Sequence, residues 1–236
     1  MGAAFFISRG DGPQSIWRGN RVAVRNPVCR SRQNRQPLPA NLNGNVKLGL
    51  YGGSFDPVHL GHLLVAHAAL EELALDRLVF IPAAQSPFKP GTQPAPAAMR
   101  ARMLRLALAG ETRFEVDELE IRRGGVSFTV DTVRELATRH PRAELFWLIG
   151  ADHVPTLPKW REAEELAQLV QFVVIPRPGE TQATLPPPYR LHQLSGWPLR
   201  VSSSEIRQRV AVGKPVHQLV PAVAAEVIAN EKLYQL

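Results

Sequence analysis

Between Val46 and Leu236, short apolar runs alternate with longer stretches of helical spacing, and few folds accommodate that alternation. A strand, then a helix, then another strand forces parallel pairing, with helices covering both faces of one sheet. The runs Val46 to Tyr51, Leu78 to Ile81, Leu145 to Ile149 and Phe172 to Ile175 read as buried strands, with a further short one at Arg113 to Val116. Helical spacing covers Leu60 to Leu73, Ala97 to Ala109, Thr129 to Thr138 and Glu162 to Leu169, with two last helices opening at Ser202 to Ser204 and at Pro221. Gln85 to Pro96, the segment holding Pro155 and Pro158, and the stretch from Pro176 to Pro188 are rich in proline and read as loops. Ligands of such sheets bind at the carboxyl ends of the strands, where the strand order reverses.

Charge divides the chain in two. The whole sequence carries +7, but Met1 to Asn45 holds seven Arg, no Lys and one acid, Asp11, a net of +6. The other 191 residues carry 21 basic and 20 acidic side chains, so residues 46–236 are nearly neutral and of a size for one domain. The leader, residues 1–45, reads as a disordered Arg-rich extension. Its prolines at 13, 27, 37 and 39 break the long amphipathic helix that a transit peptide uses. Backbone-phosphate binding to nucleic acid by such a leader is the one function class the charge suggests, and it would depend steeply on salt. Cys29 is the sole cysteine, which excludes an internal disulfide or a cysteine-built zinc site and fits a cytoplasmic location. No apolar run approaches the roughly 18 residues of a membrane helix.

The most informative segment is Gly52-Gly53-Ser54-Phe55-Asp56-Pro57-Val58-His59-Leu60-Gly61-His62, between the first strand and the first helix. Glycines there let backbone approach a ligand, and a helix start offers N–H groups and a positive dipole end to an anion such as phosphate. Neither G-x-G-x-x-G nor G-x-x-x-x-G-K-[ST] occurs, so neither a dinucleotide fingerprint nor a P-loop is supported. His59 and His62 stand three apart and can face one site, with Gly61 leaving room between them. They read either as ordinary capped imidazoles or as phosphate ligands, and the glycine turn favours the second. A metal site at this pair is disfavoured, because its neighbouring acid, Asp56, precedes a proline and reads as ordering the turn. Ser202-x-x-Glu205 is a capping box, yet three consecutive serines with Arg207 one turn further also resemble a second anion cradle.

The segment Gly52 to His62 resembles the signature of the nucleotidyltransferases that carry the H-x-G-H motif, and in full form that of bacterial nicotinate-nucleotide adenylyltransferases. Ser127 to Thr132, Leu145 to Asp152, Leu157 to Trp160, Arg177 to Gly179 and Val201 to Arg207 extend the similarity, in order, over most of residues 47–236. The leader matches nothing in that family. The resemblance implies an α/β fold, a Rossmann-like doubly wound parallel sheet of nucleotidyltransferase type, and transfer of AMP from ATP to nicotinate mononucleotide. It implies catalytic roles for His59, His62 and Arg207, and ATP binding by Gly52, Gly53, Ser54, Phe55, Asp152, Ser202, Ser203 and Ser204. Lys89, Thr129 and Trp160 would bind nicotinate mononucleotide. Trp160 alone could equally be a partly buried anchor, and Trp147 reads as core. Mg²⁺ would travel with the ATP phosphates, with no metal site in the protein itself, no nucleic-acid or membrane partner, and a homo-oligomer as an option.

Two departures stand out. Phe88 occupies a position where the family usually has His, and Ser204 one where it more often has Thr, which moves the motif toward phosphopantetheine adenylyltransferases. Acceptors other than nicotinate mononucleotide, namely phosphopantetheine or nicotinamide mononucleotide, therefore stay open, as does a non-catalytic nucleotide-binding module. A chain truncated to begin at Asn45 is expected to retain full activity in a pyrophosphate-release assay, and a loss there would show that the leader's charge contributes.

Overall fold

In a computed structural model, residues 46–87, 94–176, 184–197 and 199–235 are described. The leader, Phe88, Lys89 and the Arg177 to Gly179 motif lie outside them. Strands β1 (Val46–Gly53), β2 (Arg77–Pro82), β3 (Phe114–Val116), β4 (Ala143–Gly150), β5 (Gln171–Ile175) and β6 (Leu191–Gln193) form one sheet in the order β3-β2-β1-β4-β5-β6. All five pairings are parallel. The order runs outward from β1 to β3, then returns to the other side of β1 for β4 to β6, so it reverses between β1 and β4. This is the doubly wound arrangement that the alternation of elements requires.

The strands bury both faces, and their period of two assigns residues to two cores. Leu48, Leu50, Val79, Ile81, Leu145, Trp147, Phe172 and Val174 point to one side. Tyr51, Leu78, Phe80, Phe146, Leu148 and Val173 point to the other. Onto the first face pack α3 (Leu119–Arg123), α4 (Thr129–Arg139), a 3₁₀ segment (Ala151–Lys159) and α5 (Ala163–Leu169). Onto the second pack α1 (Leu60–Glu72), α2 (Ala97–Ala107), α6 (Ser203–Ala211) and α7 (Ala222–Asn230).

Three local readings are corrected. Pro155 and Pro158 lie inside the 3₁₀ segment rather than in an irregular loop. The fixed proline φ suits 3₁₀ geometry, and each ring removes only one donor. Pro221 stands at the N-cap of α7, one residue before the helix, rather than in its first turn. Elements α3 and β6 were not expected. The first is a single buried turn, and the second is a short, partly exposed edge strand, so neither carries enough periodic pattern to stand out.

Under the carboxyl end of β1 the second core becomes aromatic. The Phe80 ring lies 5.5 Å from Tyr51, 5.6 Å from Phe55 and 5.5 Å from Phe114, between centroids, and is fully buried. Phe80→Ala is expected to destabilise the fold by about 3–5 kcal/mol, read from chemical denaturation, because the rings around it cannot collapse into the space.

Candidate active site

The reversal between β1 and β4 opens a cleft of about 990 Å³ at the carboxyl ends of the strands. Gly52, Gly53, Ser54, Phe55, His59, His62, Thr129, Asp152, Trp160, Ser202, Ser203 and Ser204 all line it. The tertiary structure thus brings the Gly52 to His62 and Ser202 to Ser204 segments, Thr129 and Trp160 around one space, with the N-termini of α1, α4 and α6 opening on it, while Lys89 lies outside the described residues. Arg207 reaches the cleft wall through Ser204, to whose Oγ its Nη2 donates at 3.2 Å.

The two histidines form the helix cap themselves. His59 is the N-cap of α1, and its Nδ1 accepts from the His62 backbone N–H at 3.3 Å. The His62 Nδ1 accepts in return from the His59 N–H at 3.1 Å. This is a capping box written in imidazoles, and it stacks the two rings with centroids 3.6 Å apart. A ring whose Nδ1 accepts an N–H holds its own proton on Nε2. The cap therefore fixes the tautomer of both histidines and makes each Nε2–H a donor. Burial holds the His59 imidazole down at about 4, so it is a neutral donor at pH 7.

The glycines act through protein packing. A Cβ on Gly52 would stand 2.6 Å from the Trp147 ring, and one on Gly61 would stand 2.9 Å from Val201 and 3.1 Å from His59 Nδ1. The space expected at Gly61 for a ligand is thus taken by Val201 and the capping imidazole. Gly61 is what lets the extended segment at Val201, leading into α6, lie against α1. Phe55 packs its ring under Gly53 and against His62 at 5.0 Å, supporting the loop from below, while Trp147 is core as expected and also walls the cleft. Asp152 lies two residues past β4, within the 3₁₀ segment. That segment ends at Trp160, which packs partly on the first core, donates Nε1 to Thr156 Oγ1 at 3.4 Å and lines the cleft. The anchor reading of Trp160 holds, and the same ring is placed on the cleft wall.

Several residues of the site carried no sequence signal. Arg100, 1% exposed, donates Nη1 to the Ser54 carbonyl at 2.7 Å, Nε to the Ala95 carbonyl at 3.0 Å and Nη2 to the Ala84 carbonyl at 3.4 Å. Burial lowers its pKa and the Asp56 carboxylate opposes that shift. In helical spacing it looked like one more polar residue of α2. Glu120 is buried beside the cleft, accepts from Thr132 Oγ1 at 2.6 Å, and has its carboxyl pKa raised by burial. Trp197, half exposed in the cleft, could have been noticed as an aromatic between Gly196 and Pro198. Among the described residues no group of three or more His, Cys, Asp or Glu gathers as a metal site.

Residues 50–209 match the cytidylyltransferase-like family model. A protein of Opitutus terrae named "Probable nicotinate-nucleotide adenylyltransferase" is 44% identical over 193 residues, covering 80% of this chain and 98% of that one. The chain belongs to the nicotinate-nucleotide adenylyltransferase family. A second member, from Geobacillus kaustophilus and named in the same words, is 42% identical over 188 residues, covering 80% of this chain and 86% of that one. The family fold recurs in the solved Plasmodium falciparum nicotinic acid mononucleotide adenylyltransferase complexed with NaAD. That structure superimposes with a TM-score of 0.64 at 18% identity, over 80% of this chain and 97% of that one.

The buried neutral His59 links stability to pH. In the unfolded chain the imidazole takes up a proton near 6.5, and in the folded chain only near 4. Between these values the unfolded state binds more protons, so stability falls as pH falls, by on the order of 3 kcal/mol over the window. Comparing His59→Gln with the parent by chemical denaturation from pH 7 to 4.5 should show a shallower loss in the variant; parallel curves would exclude the linkage.

Proposed function

We propose that the cleft catalyses attack of the 5′-phosphate of nicotinate mononucleotide on the α-phosphorus of ATP, forming nicotinate adenine dinucleotide and releasing pyrophosphate. The observation that carries this reading is the convergence of the His59/His62 cap and the Ser202 to Ser204 helix start on one cleft at the strand-order reversal. Family membership names the acceptor class.

An acceptor phosphate oxygen forms the new P–O bond while the bond from the α-phosphorus to the bridging oxygen of pyrophosphate breaks. A phosphate monoester has a second pKa of about 6, so the nucleophile is already largely anionic at pH 7 and needs no general base. The remaining demand is alignment of two polyanions and neutralisation of charge building on the leaving group. The Nε2–H of His62 is our candidate donor to the α-phosphate, with His59 beside it. The start of α6, with its three serine hydroxyls and the Arg207 charge behind Ser204, is our candidate cradle for the β- and γ-phosphates. Gly52 to Phe55 and Asp152 would hold the nucleoside side of ATP, and Lys89, Thr129 and Trp160 the acceptor. Glu120, Asp152 and Glu205 line the cleft without gathering into one cluster, and Mg²⁺ carried by the triphosphate would neutralise phosphate oxygens and keep several waters.

Pyrophosphate release from MgATP, measured side by side with nicotinate mononucleotide, nicotinamide mononucleotide and phosphopantetheine, should be fastest with the first; preference for phosphopantetheine would overturn the reading. His62→Ala should lower kcat by about 10²-fold or more, the scale of one oriented transition-state donor. An unchanged kcat removes His62 from the chemistry.

A further inference from the structure

Tyr234 lies 178 residues beyond Asp56 and outside every motif, yet its hydroxyl donates to Asp56 Oδ1 at 2.7 Å. After α7 the chain turns back on itself, with Lys232 N–H on the Ala229 carbonyl at 3.3 Å and Leu233 N–H on the Ile228 carbonyl at 3.0 Å. Lys232 at φ 51° and Tyr234 at φ 63° occupy the left-handed region, which residues with side chains hold only where the surroundings compensate. Packing of Leu233 and Tyr234 on the second core supplies part of that compensation.

The contact between Tyr234 and Asp56 leads to the cleft. Asp56 is 5% exposed, and its Oδ1 also accepts from the Ala95 N–H at 3.1 Å. Its Oδ2 stands 3.6 Å from Arg207 Nη1. The same Nη1 donates to the Asp56 carbonyl at 2.7 Å, and Nη2 to Ser204 Oγ on the cleft wall. A buried carboxylate lacking other donors would draw the guanidinium into a close fork-on-fork pair. Two donors on Oδ1 leave Arg207 at the looser distance, directed toward Ser204. Burial, and then the Asp56 charge, pushes the Tyr234 phenol above its ordinary value, so it remains protonated and donating at physiological pH.

We infer that Tyr234 is a positioning residue for the triphosphate side of the cleft: by occupying Asp56 Oδ1, it sets the place and availability of Arg207 beneath Ser204. This rests on the role proposed above for Arg207. Tyr234 touches no substrate and acts through Asp56 alone.

The test is a double-mutant cycle on the full chain, with steady-state pyrophosphate release from MgATP and nicotinate mononucleotide. Tyr234→Phe keeps the ring and removes only the hydroxyl. It should lower kcat by about tenfold, the scale of one hydrogen bond to a charged group, with KM for the acceptor nearly unchanged and a modest fall in Tm. In an Arg207→Ala background, adding Tyr234→Phe should change kcat by less than about twofold, because the group it positions is gone. A kcat within twofold of the parent for Tyr234→Phe, an effect on Tm alone, or full additivity with Arg207→Ala would each overturn the inference and leave a purely structural strap. An impaired Arg207→Ala beside a normal Tyr234→Phe sinks this inference alone, whereas a fully active Arg207→Ala sinks the Arg207 reading and this inference with it.

Discussion

The loop that joins β1 to α1 leaves the sheet at its centre, where no neighbouring strand can accept its hydrogen bonds and little water reaches it. Its backbone must be satisfied by side chains from elsewhere, and the rest of the structure is arranged to provide them. Arg100 of α2 takes the Ser54 carbonyl, Arg207 of α6 takes the Asp56 carbonyl, and Ser203 Oγ donates to the Pro57 carbonyl at 2.9 Å. The Asp56 carboxylate in turn gathers the Ala95 N–H ahead of α2 and the Tyr234 phenol beyond α7. Two helices, α2 and α6, and the segment after α7 are thereby tied to the four residues Ser54 to Pro57. The loop is irregular in conformation and still held from several sides, which is the condition for precise placement of the histidines that follow it.

The same arrangement explains how a nearly neutral body can handle polyanions. In the proposed reaction, positive potential would come from a few placed groups: helix N-termini, imidazole N–H donors with fixed tautomers, and the guanidinium groups of Arg207 behind Ser204 and Arg200 on the wall. Two of the charged groups are buried, Arg100 on three backbone carbonyls and Asp56 on the Ala95 N–H and the Tyr234 phenol beside Arg207, so their contribution lies more in specifying one geometry than in adding stability. The glycines follow the same logic. Gly52 and Gly61 are needed because Trp147 and Val201 occupy the space a Cβ would take.

Much of this was legible in the sequence for one reason: strands buried on two faces and helices buried on one leave strong periodic traces. The strands at Val46, Leu78, Leu145 and Phe172 were readable from apolar runs, and the doubly wound sheet followed from their alternation with helices. The segments Gly52 to His62 and Val201 to Arg207 were readable as candidates because their residue types are local and contiguous, and the structure brings them to one cleft. Elements α3 and β6 were too short for periodicity to register, and the 3₁₀ segment was masked by Pro155 and Pro158, which argue against an α-helix but not against a tighter one.

By itself, then, the sequence determined the order of elements, the parallel sheet, and which short segments line the cleft, since each of these is encoded within a few neighbouring residues. Only the tertiary structure decided that Gly61 makes room for Val201, that His59 and His62 cap each other, that Glu120 lines the cleft, and that Arg100 and Tyr234 hold the loop beside it. Those decisions depend on contacts between residues far apart in the chain, such as Tyr234 and Asp56, and periodicity and local spacing carry no information about them.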